Sequence, residues 1–369
     1  MRGRSFSPIA SIAVLALTCT IAVTSLAGCR IMAAGGRATS ALFSSPRKVK
    51  KLENPIDKDA RLAVLWVGHA TALVQIDDKV ILTDPVFTSS VGQVSKRVVE
   101  PGLEVKNLPP IDAVLISHMH FDHLSLGSLS EIERKVRMLV MPRGGVVYLT
   151  DFGFPVVELG PWALWEKDGL RITAAPVDHV GYRYGIDDAW MKESFTGYVI
   201  EYHGIKVYFG GDTAYDQRLF VDAATRFPGL DLALLPIGPL EPREVMRRFH
   251  MDPAEAVQAF FDLGARRMVP IHYDTFVNST DNPGDALRAL DLAQKKWDLG
   301  TREIATVAIG ERRVFLKTGE GPARDPVKVK DPGGWNTPAS TSSSSSPSTP
   351  KPAPKPAPKD DIPDDDRLD

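Results

Sequence analysis

Three histidines and an aspartate lie within six consecutive residues of this chain, in the run HMHFDH at positions 118–123. A short apolar stretch, residues 111–116, comes directly before the run and is typical of a buried strand. Imidazole and carboxylate groups are common ligands of Zn²⁺, and alternate residues of such a run can serve two adjacent ions. A polar loop that is merely rich in histidine is the plainer alternative. The run predicts a metal centre at the end of a strand, and therefore a hydrolase, with four candidate ligands: His118, His120, Asp122 and His123.

Three more ligand-type residues follow strand-like stretches further along the chain. His179 comes after residues 171–176, Asp212 after residues 204–208, and His272 after the apolar run at residues 268–271. Each of these residues alone is more readily a satisfied polar group at a strand end. Because four separate strand ends each carry a ligand-type residue, we expect all of them to meet at one metal centre.

Further strands are predicted by apolar runs at residues 62–67, 73–76, 80–83, 136–141, 197–202 and 205–209. A helix is expected over residues 126–135. A second helix is expected from Asp252, with Pro253 at its first position and Glu255 completing a capping box. His203 falls in the turn between two strands, so we exclude it from the site.

The histidine run, the lone histidine, the Gly-Asp-Thr at residues 211–213 and the late histidine resemble the metallo-β-lactamase superfamily. The segments WVGHAT at 66–71, LTDP at 82–85, LPPIDAVLISH at 108–118 and HMDPAEA at 250–256 are similar to the N-acylphosphatidylethanolamine-hydrolysing phospholipase D family. The resemblance extends from about residue 62 to residue 316. It implies an α+β fold, the αββα sandwich in which two packed mixed sheets are flanked by helices.

The resemblance also implies two zinc ions and a role for each candidate residue. It implies that Asp212 bridges the ions, and that water activated between them attacks phosphorus. Asp122 and His250 are the expected catalytic residues, with His250 binding the substrate phosphate or protonating the leaving alkoxide; a capping or packing histidine is the alternative. The implied ligands of the first ion are His118, His120 and His179, and those of the second are Asp122, His123 and His272.

Four other residues are predicted to surround the ligands. We expect His69 and Asp84 to orient ligand imidazoles through hydrogen bonds. Phe121 and Arg183 are candidate substrate contacts, Arg183 with a phosphate, although packing against the sheet is an equal alternative for Phe121. Trp190 and Met191 are further candidates for contact with acyl chains.

Both ends of the chain differ in composition from its centre. Residues 1–28 carry Arg2 and Arg4, an apolar run over residues 9–26 and a final Leu-Ala-Gly before Cys29, which resembles a bacterial lipoprotein signal with lipidation at the cysteine. An uncleaved anchor is the alternative. We expect an exported lipoprotein, on the periplasmic face of the outer membrane in a Gram-negative bacterium. The predicted organisation is a tether at 29–58, a hydrolase domain at 59–318, and a disordered tail rich in serine, proline and lysine at 319–369.

The chain has only two cysteines and a formal net charge of −2. Cleavage before Cys29 removes Cys19, so no disulfide and no thiolate metal ligand is expected. The predicted globular region has no basic block, which argues against a nucleic-acid partner. The expected partners are a small phosphodiester or phospholipid substrate and a membrane, and a homo-oligomer is left open.

We therefore expect a zinc-dependent phosphodiesterase of phospholipase D type, acting on N-acylphosphatidylethanolamine or a related phospholipid. A lactonase or small-molecule phosphodiesterase of the same fold is the alternative among enzymes. A zinc-binding envelope lipoprotein without catalysis is the alternative from another class.

Overall fold

The structure is a computed structural model, and it describes residues 45–92, 95–187 and 193–322. These residues belong to the first of two units of the chain, residues 1–331; the second, residues 332–369, lies outside the described residues. The predicted signal, Cys29, Trp190, Met191 and most of the predicted tail also lie outside them.

The first sheet contains β1 (Ala60–Gly68), β2 (Thr71–Ile76), β3 (Lys79–Thr83), β6 (Ala113–Leu115), β7 (Leu139–Pro142), β8 (Val156–Leu159) and β16 (Arg312–Lys317). These seven strands lie in the order β16-β1-β2-β3-β6-β7-β8. β3, β6, β7 and β8 run parallel to one another, whereas β16, β1, β2 and β3 pair antiparallel. A small separate hairpin contains β4 (Ser90–Val91) and β5 (Ser95–Lys96).

The second sheet contains β9 (Leu164–Lys167), β10 (Leu170–Ala175), β11 (Gly197–Tyr202), β12 (Ile205–Phe209), β13 (Leu232–Pro236), β14 (Arg267–Ile271) and β15 (Glu303–Ile304). These seven strands lie in the order β15-β14-β13-β12-β11-β10-β9. β12, β13, β14 and β15 are parallel, and β9 to β12 form an antiparallel meander. The α-helices of the described residues are α1 (Leu126–Ile132), α2 (Gln217–Arg226), α3 (Arg243–Met246), α4 (Pro253–Asp262) and α5 (Asp285–Gln294).

Alternate side chains of β1 show how the layers pack, because successive residues of a strand point to opposite faces. Val64 and Trp66 join the core that includes the second sheet, whereas Leu65 and Val67 pack in a separate core with Leu129 of α1. The apolar faces of α2, α4 and α5 join the core of the second sheet. The layers are therefore helix, sheet, sheet and helices, which confirms the predicted αββα sandwich.

Local predictions are confirmed where a strong signal exists. The strands at residues 197–202 and 205–209 are observed as predicted, and His203 occupies the turn between them with a φ of 49°. The capping box is present, with Asp252 accepting hydrogen bonds from the backbone of Ala254 and Glu255. The helix expected over 126–135 is wrong in its last turn, because α1 ends at Ile132 and a 3-10 helix follows over Glu133–Lys135.

The described part of the predicted tether forms hydrogen bonds with the predicted hydrolase domain. The backbone N–H of Arg47 donates to the carbonyl of Val98, and Arg312 donates to the carbonyls of Asn54 and Ile56. These hydrogen bonds hold residues 47–56 against the domain, and the boundary at residue 59 stays a prediction. No helix within residues 45–92, 95–187 and 193–322 has the length and the apolar character that crossing a membrane requires.

Candidate metal centre

The predicted metal ligands lie together at one edge of the two sheets. Residues 117–123 follow β6, His179 follows β10, Asp212 follows β12, and His272 follows β14. The carboxyl ends of parallel strands meet at the same edge of a sheet, which explains how residues distant in sequence converge. The two sheets are joined here, since the backbone N–H of Thr196 donates to the carbonyl of Ser117 at 2.8 Å.

One group of ligand-type atoms belongs to His118, His120 and His179, which lie within 4.8 Å of one another. His118 Nε2 and His120 Nδ1 are 2.8 Å apart. The structure thus brings together the three residues assigned to the first zinc.

A second group contains His69, Asp122, His123 and His272. It unites the three residues assigned to the second zinc and adds His69, whose Nε2 is 2.9 Å from Asp122 Oδ2. His69 was expected to orient an imidazole; instead it contacts the carboxylate of Asp122 and has a ligand-type atom in the group.

Asp212 lies between the two groups. Its Oδ2 is 3.2 Å from His123 Nε2 and 3.9 Å from the Nε2 atoms of both His118 and His179. Its Oδ1 is 3.0 Å from His272 Nε2. Oδ2 thus lies near both groups and Oδ1 near His272 of the second group, so the carboxylate lies between the groups, as the predicted bridging ligand requires.

In two imidazoles of the cluster, the nitrogen that faces away from the centre has a backbone hydrogen-bond partner. His179 Nδ1 is 3.0 Å from the carbonyl of Phe249, and His272 Nδ1 is 3.0 Å from the carbonyl of Gly238. A carbonyl accepts only, so each Nδ1 donates and a neutral ring keeps its lone pair on Nε2. Such lone pairs face the centre, as a metal ligand requires.

Asp84, which follows β3, forms hydrogen bonds on the first-sheet side of the cluster. It is fully buried and accepts hydrogen bonds from Ser117 N at 2.7 Å and Ser117 Oγ at 2.6 Å, and its Oδ2 is 2.6 Å from His123 Nδ1. The Ser117 hydroxyl is also 2.9 Å from His118 Nδ1. Asp84 therefore has the orienting position that was predicted, and Ser117, which sequence reasoning missed, extends this network to His118.

Two buried atoms without hydrogen-bond partners indicate that these residues suit a bound cation. His179 Nε2 and Asp212 Oδ1 are buried and have no hydrogen-bond partner. His272 Nε2 lies near that carboxylate oxygen, but with Nδ1 as donor its lone pair would face the oxygen in a neutral ring. Unpaired buried acceptors are costly unless a positive charge lies between them. The cluster is therefore suited to metal ions bound by nitrogen and carboxylate oxygen.

The electrostatics differ among the imidazoles of the cluster. Burial alone would lower the pKa of His123, but the carboxylates of Asp212, Asp84 and Asp122 raise it well above the ordinary histidine value. Burial lowers the pKa of His118 and His179 well below the ordinary histidine value, and lowers that of His69 to about 3. Burial alone would raise the pKa of Asp212, but the imidazoles of His272 and His123 lower it well below its ordinary range. Neutral imidazole and ionised carboxylate are the forms that bind metals.

Three residues of the site have left-handed backbone conformations. The φ angles are 56° for His69, 33° for Asp84 and 65° for His272, each directly after a strand. Non-glycine residues in this region cost about 1 kcal/mol or more and cluster at functional sites. No sequence signal identifies these conformations.

His250 lies on the second-sheet side of the centre, just before the capped helix α4. Its Nδ1 is 3.7 Å from Asp212 Oδ2 and is buried without a hydrogen-bond partner. The backbone N–H groups of Ala254 and Glu255 already donate to Asp252, so only the dipole of the helix favours an anion near His250. The position is compatible with the predicted phosphate contact and does not itself test that role.

An open groove of about 680 Å³ reaches the metal cluster. His120 and Asp122 line its floor, and Phe121 lines it with part of its ring exposed. Its walls are mostly apolar and include Val91, Tyr184, Phe276 and Val277. Phe121 thus borders the space in which a substrate would lie.

Arg183 lies against the loop that carries the ligands. Its side chain is buried, and Nη1 donates at 2.9 Å to the carbonyls of both Met119 and Leu124. The guanidinium carbon lies 4.2 Å from the centre of the Phe121 ring. Arg183 therefore braces this loop, and its contact with a phosphate stays a prediction. Sequence reasoning missed this brace, because neither carbonyl has a signature in the sequence.

The fold and the cluster define the class of protein. A family model described as a beta-lactamase superfamily domain matches residues 79–273, which is more than half of the chain. The chain therefore belongs to the beta-lactamase superfamily. Its His/Asp cluster brings together groups that could hold metal ions.

Curated relatives agree with this class. The chain is 31% identical over 276 residues to N-acyl-phosphatidylethanolamine-hydrolyzing phospholipase D 1 of Caenorhabditis elegans, covering 69% of this chain and 76% of that protein. It is 34% identical over 230 residues to an uncharacterised protein of Mycobacterium tuberculosis, covering 59% of this chain and only 60% of that protein. A metal-dependent hydrolase of Thermococcus onnurineus is 32% identical over 219 residues, covering 58% of this chain and 85% of that protein.

Solved structures show the same fold. The isothiocyanate hydrolase from Delia radicum gut bacteria superposes with a TM-score of 0.55 at 19% identity, covering 69% of this chain and 99% of that chain. Igni18, a metallo hydrolase of Ignicoccus hospitalis, superposes with a TM-score of 0.51 at 23% identity, covering 68% and 97%. At these identities the likeness concerns the fold alone.

Proposed function

We propose that this protein is a zinc-dependent phosphodiesterase of phospholipase D type, acting on N-acylphosphatidylethanolamine or a related phospholipid. The observation that carries the proposal is the pair of ligand groups on either side of Asp212, at the floor of an apolar groove. Similarity to proteins named N-acylphosphatidylethanolamine-hydrolysing phospholipases D supports the substrate class.

Two zinc ions are proposed, with Asp212 as the shared ligand. When bound, such ions supply a nucleophilic water at neutral pH and offset negative charge on phosphoryl oxygens. The carbonyls of Phe249 and Gly238 orient His179 and His272, so that their lone pairs face the centre. The proposed ligands are His118, His120 and His179 for one ion, and Asp122, His123 and His272 for the other.

His250 is proposed to contact the substrate phosphate or to donate a proton to the leaving alkoxide. Its Nδ1 is buried without a hydrogen-bond partner, and its ring lies 5.3 Å from the ring of His179 and 5.5 Å from the ring of His272. The apolar walls of the groove exclude water from the substrate ester, which strengthens the polar interactions at its floor.

The proposed setting is a membrane. Lipidation at Cys29, after removal of residues 1–28, would attach the exported domain to the periplasmic face of the outer membrane in a Gram-negative bacterium. Such attachment would raise the local concentration of lipid substrates.

The test is hydrolysis of N-acylphosphatidylethanolamine in detergent by the zinc-loaded full chain. His120→Ala and Asp122→Ala are expected to lower turnover by more than about a hundredfold, since each removes a proposed ligand. His203→Ala is the matched control, because His203 lies in an exposed turn and pairs with Asp77. Unchanged turnover in both ligand variants would reject the proposed centre, and turnover of lactones or small diesters alone would reject the lipid substrate.

A further inference from the structure

An exposed band of apolar side chains borders the groove that leads to the metal centre. Nine large apolar side chains are exposed among the described residues, and five of them belong to this band. Val147, Tyr184 and Ile186 are 66%, 62% and 80% exposed. We call the following five residues the apolar rim: Phe121, Val146, Val147, Tyr184 and Ile186. A contiguous exposed apolar patch usually marks an interaction surface.

Ring contacts connect the segments that carry the rim residues. The Tyr184 ring lies 5.8 Å from the ring of Phe121 and 5.9 Å from the ring of Tyr148. Tyr148 ends the 3-10 helix Gly145–Tyr148, which presents Val146 and Val147. Two segments distant in sequence therefore present their apolar side chains side by side.

One charged residue beside the rim, Asp187, is directed inward. Asp187, next to Ile186, is buried and accepts hydrogen bonds from the Tyr148 hydroxyl and from the backbone N–H groups of Arg183 and Tyr184. These partners lower the pKa of Asp187 to about 2 against the opposing effect of burial. The loop thus keeps its carboxylate in the interior while Ile186 and Tyr184 face solvent.

The rim is also the edge of the groove. Phe121 and Tyr184 line the groove together with His120 and Asp122. Whatever covers the rim must leave the groove open to substrate. A protein seated on these side chains would close the groove, whereas a lipid surface covers them and supplies substrate at the same place.

The N-terminal end of the described chain lies near the same groove. Arg47 pairs with residues 98–100 through backbone hydrogen bonds. The adjacent Arg97 forms a bridge with Phe276, which lines the groove. Residues 30–44 can span at most about 50 Å when fully extended. A lipid on Cys29 would therefore hold this face of the domain close to the membrane.

We propose that the apolar rim docks on the lipid surface that carries the anchor. Val146, Val147 and Ile186 enter the boundary between headgroups and acyl chains, and Tyr184 lies at headgroup level, where aromatic side chains with a polar end are favoured. The inference rests on the proposed function for its membrane setting.

Site-directed fluorescence tests the docking without any turnover. The chain's two cysteines are Cys19 and Cys29. In a Cys19→Ser background, the full chain with Val147→Cys or Ile186→Cys is labelled with an environment-sensitive dye. It is then added to phosphatidylethanolamine and phosphatidylglycerol vesicles that contain nitroxide lipids. The chain without an added cysteine reports any label at Cys29, and Leu292→Cys is the matched control, since Leu292 is 63% exposed outside the rim.

Docking predicts a shift to shorter wavelength and nitroxide quenching at positions 147 and 186, with neither at position 292. Water-like emission at both rim positions, or equal quenching at position 292, would overturn the proposal.

A second variant links the rim to catalysis. Val147→Asp combined with Ile186→Asp is expected to lower hydrolysis of vesicle phospholipid by roughly tenfold or more, because charged side chains oppose insertion. Hydrolysis of the soluble diester bis(p-nitrophenyl) phosphate should be unchanged, since neither residue contacts the metal cluster. Equal loss on both substrates, or loss on neither, would overturn the proposal. If the parent chain hydrolyses no phosphodiester, the proposed function fails, and the fluorescence result still decides the docking.

Discussion

Asp84 connects two ligand histidines although it belongs to neither ligand group. Its carboxylate accepts from Ser117 and contacts His123, and Ser117 in turn contacts His118. Partners of this kind fix the ring orientation and the tautomer of a metal-binding histidine. The precision of the centre therefore depends on residues that the metal never touches.

Asp84→Asn should lower zinc affinity by about 10- to 100-fold, because an amide nitrogen cannot accept from the Ser117 hydroxyl or His123 Nδ1–H. Competition with a chelator measures this change. Asp112→Asn is the control, since Asp112 supports Val80 and Arg137 at the other end of β6. Equal zinc affinity in parent and Asp84 variant would contradict the orienting role.

Arg183→Met should lower both kcat and zinc affinity several-fold, because the apolar side chain cannot donate to the carbonyls that flank the ligand loop. Arg183→Lys should restore part of both. Arg143→Met provides a control, as Arg143 is exposed and pairs with Glu193. A rise in KM with unchanged kcat and zinc affinity would instead favour a substrate contact.

Among the structural elements, the turn after β12 lies very close to the loop that follows β6. Gly211 has a φ of 58°, and a Cβ atom at this position would lie 2.5 Å from Ser117 Cβ. Only glycine allows Asp212 to enter the cluster directly behind the loop of β6.

Gly211→Ala should lower the free energy of unfolding by about 3 kcal/mol, through steric overlap added to backbone strain. Gly185→Ala shares the left-handed conformation, with a φ of 79°, but has open space around it. It should cost only about 1 kcal/mol. Urea unfolding distinguishes the two, and equal losses would show that the close approach has no energetic consequence.

The sequence predicts those elements whose signals are local. Apolar runs indicate β1 to β3, and Asp252 with Pro253 indicates the start of α4. β9 lacks such a signal, since its residues are mostly exposed or half-buried, and it was missed. The contact between His69 and Asp122 and the brace from Arg183 depend on how distant segments pack, which one sequence without relatives does not reveal.

For the whole molecule, the metal cluster is a junction between the two sheets. His118 and His123 come from the first sheet, and Asp212 and His272 from the second. Metal ions bound by residues of both sheets would bind only the folded chain and would therefore stabilise it. Their removal should lower the free energy of unfolding.

If free zinc is held at about 100 times its dissociation constant, chelation should lower the free energy of unfolding by about 3 kcal/mol for each ion removed. Calorimetry of the holo and chelated full chain measures the change, and added zinc should reverse it. Native mass spectrometry should count two zinc ions per chain in the holo form. An unchanged melting temperature after complete loss of zinc would contradict the role of the cluster as a junction.

The most direct test of the proposed chemistry is hydrolysis of N-acylphosphatidylethanolamine by the zinc-loaded chain in ¹⁸O-labelled water. Attack of water on phosphorus breaks the bond from phosphorus to the ethanolamine oxygen. Mass spectrometry should therefore find one labelled oxygen in phosphatidic acid and none in N-acylethanolamine. Label in N-acylethanolamine, release of fatty acid, or no product at all would contradict a phospholipase D reaction at this centre.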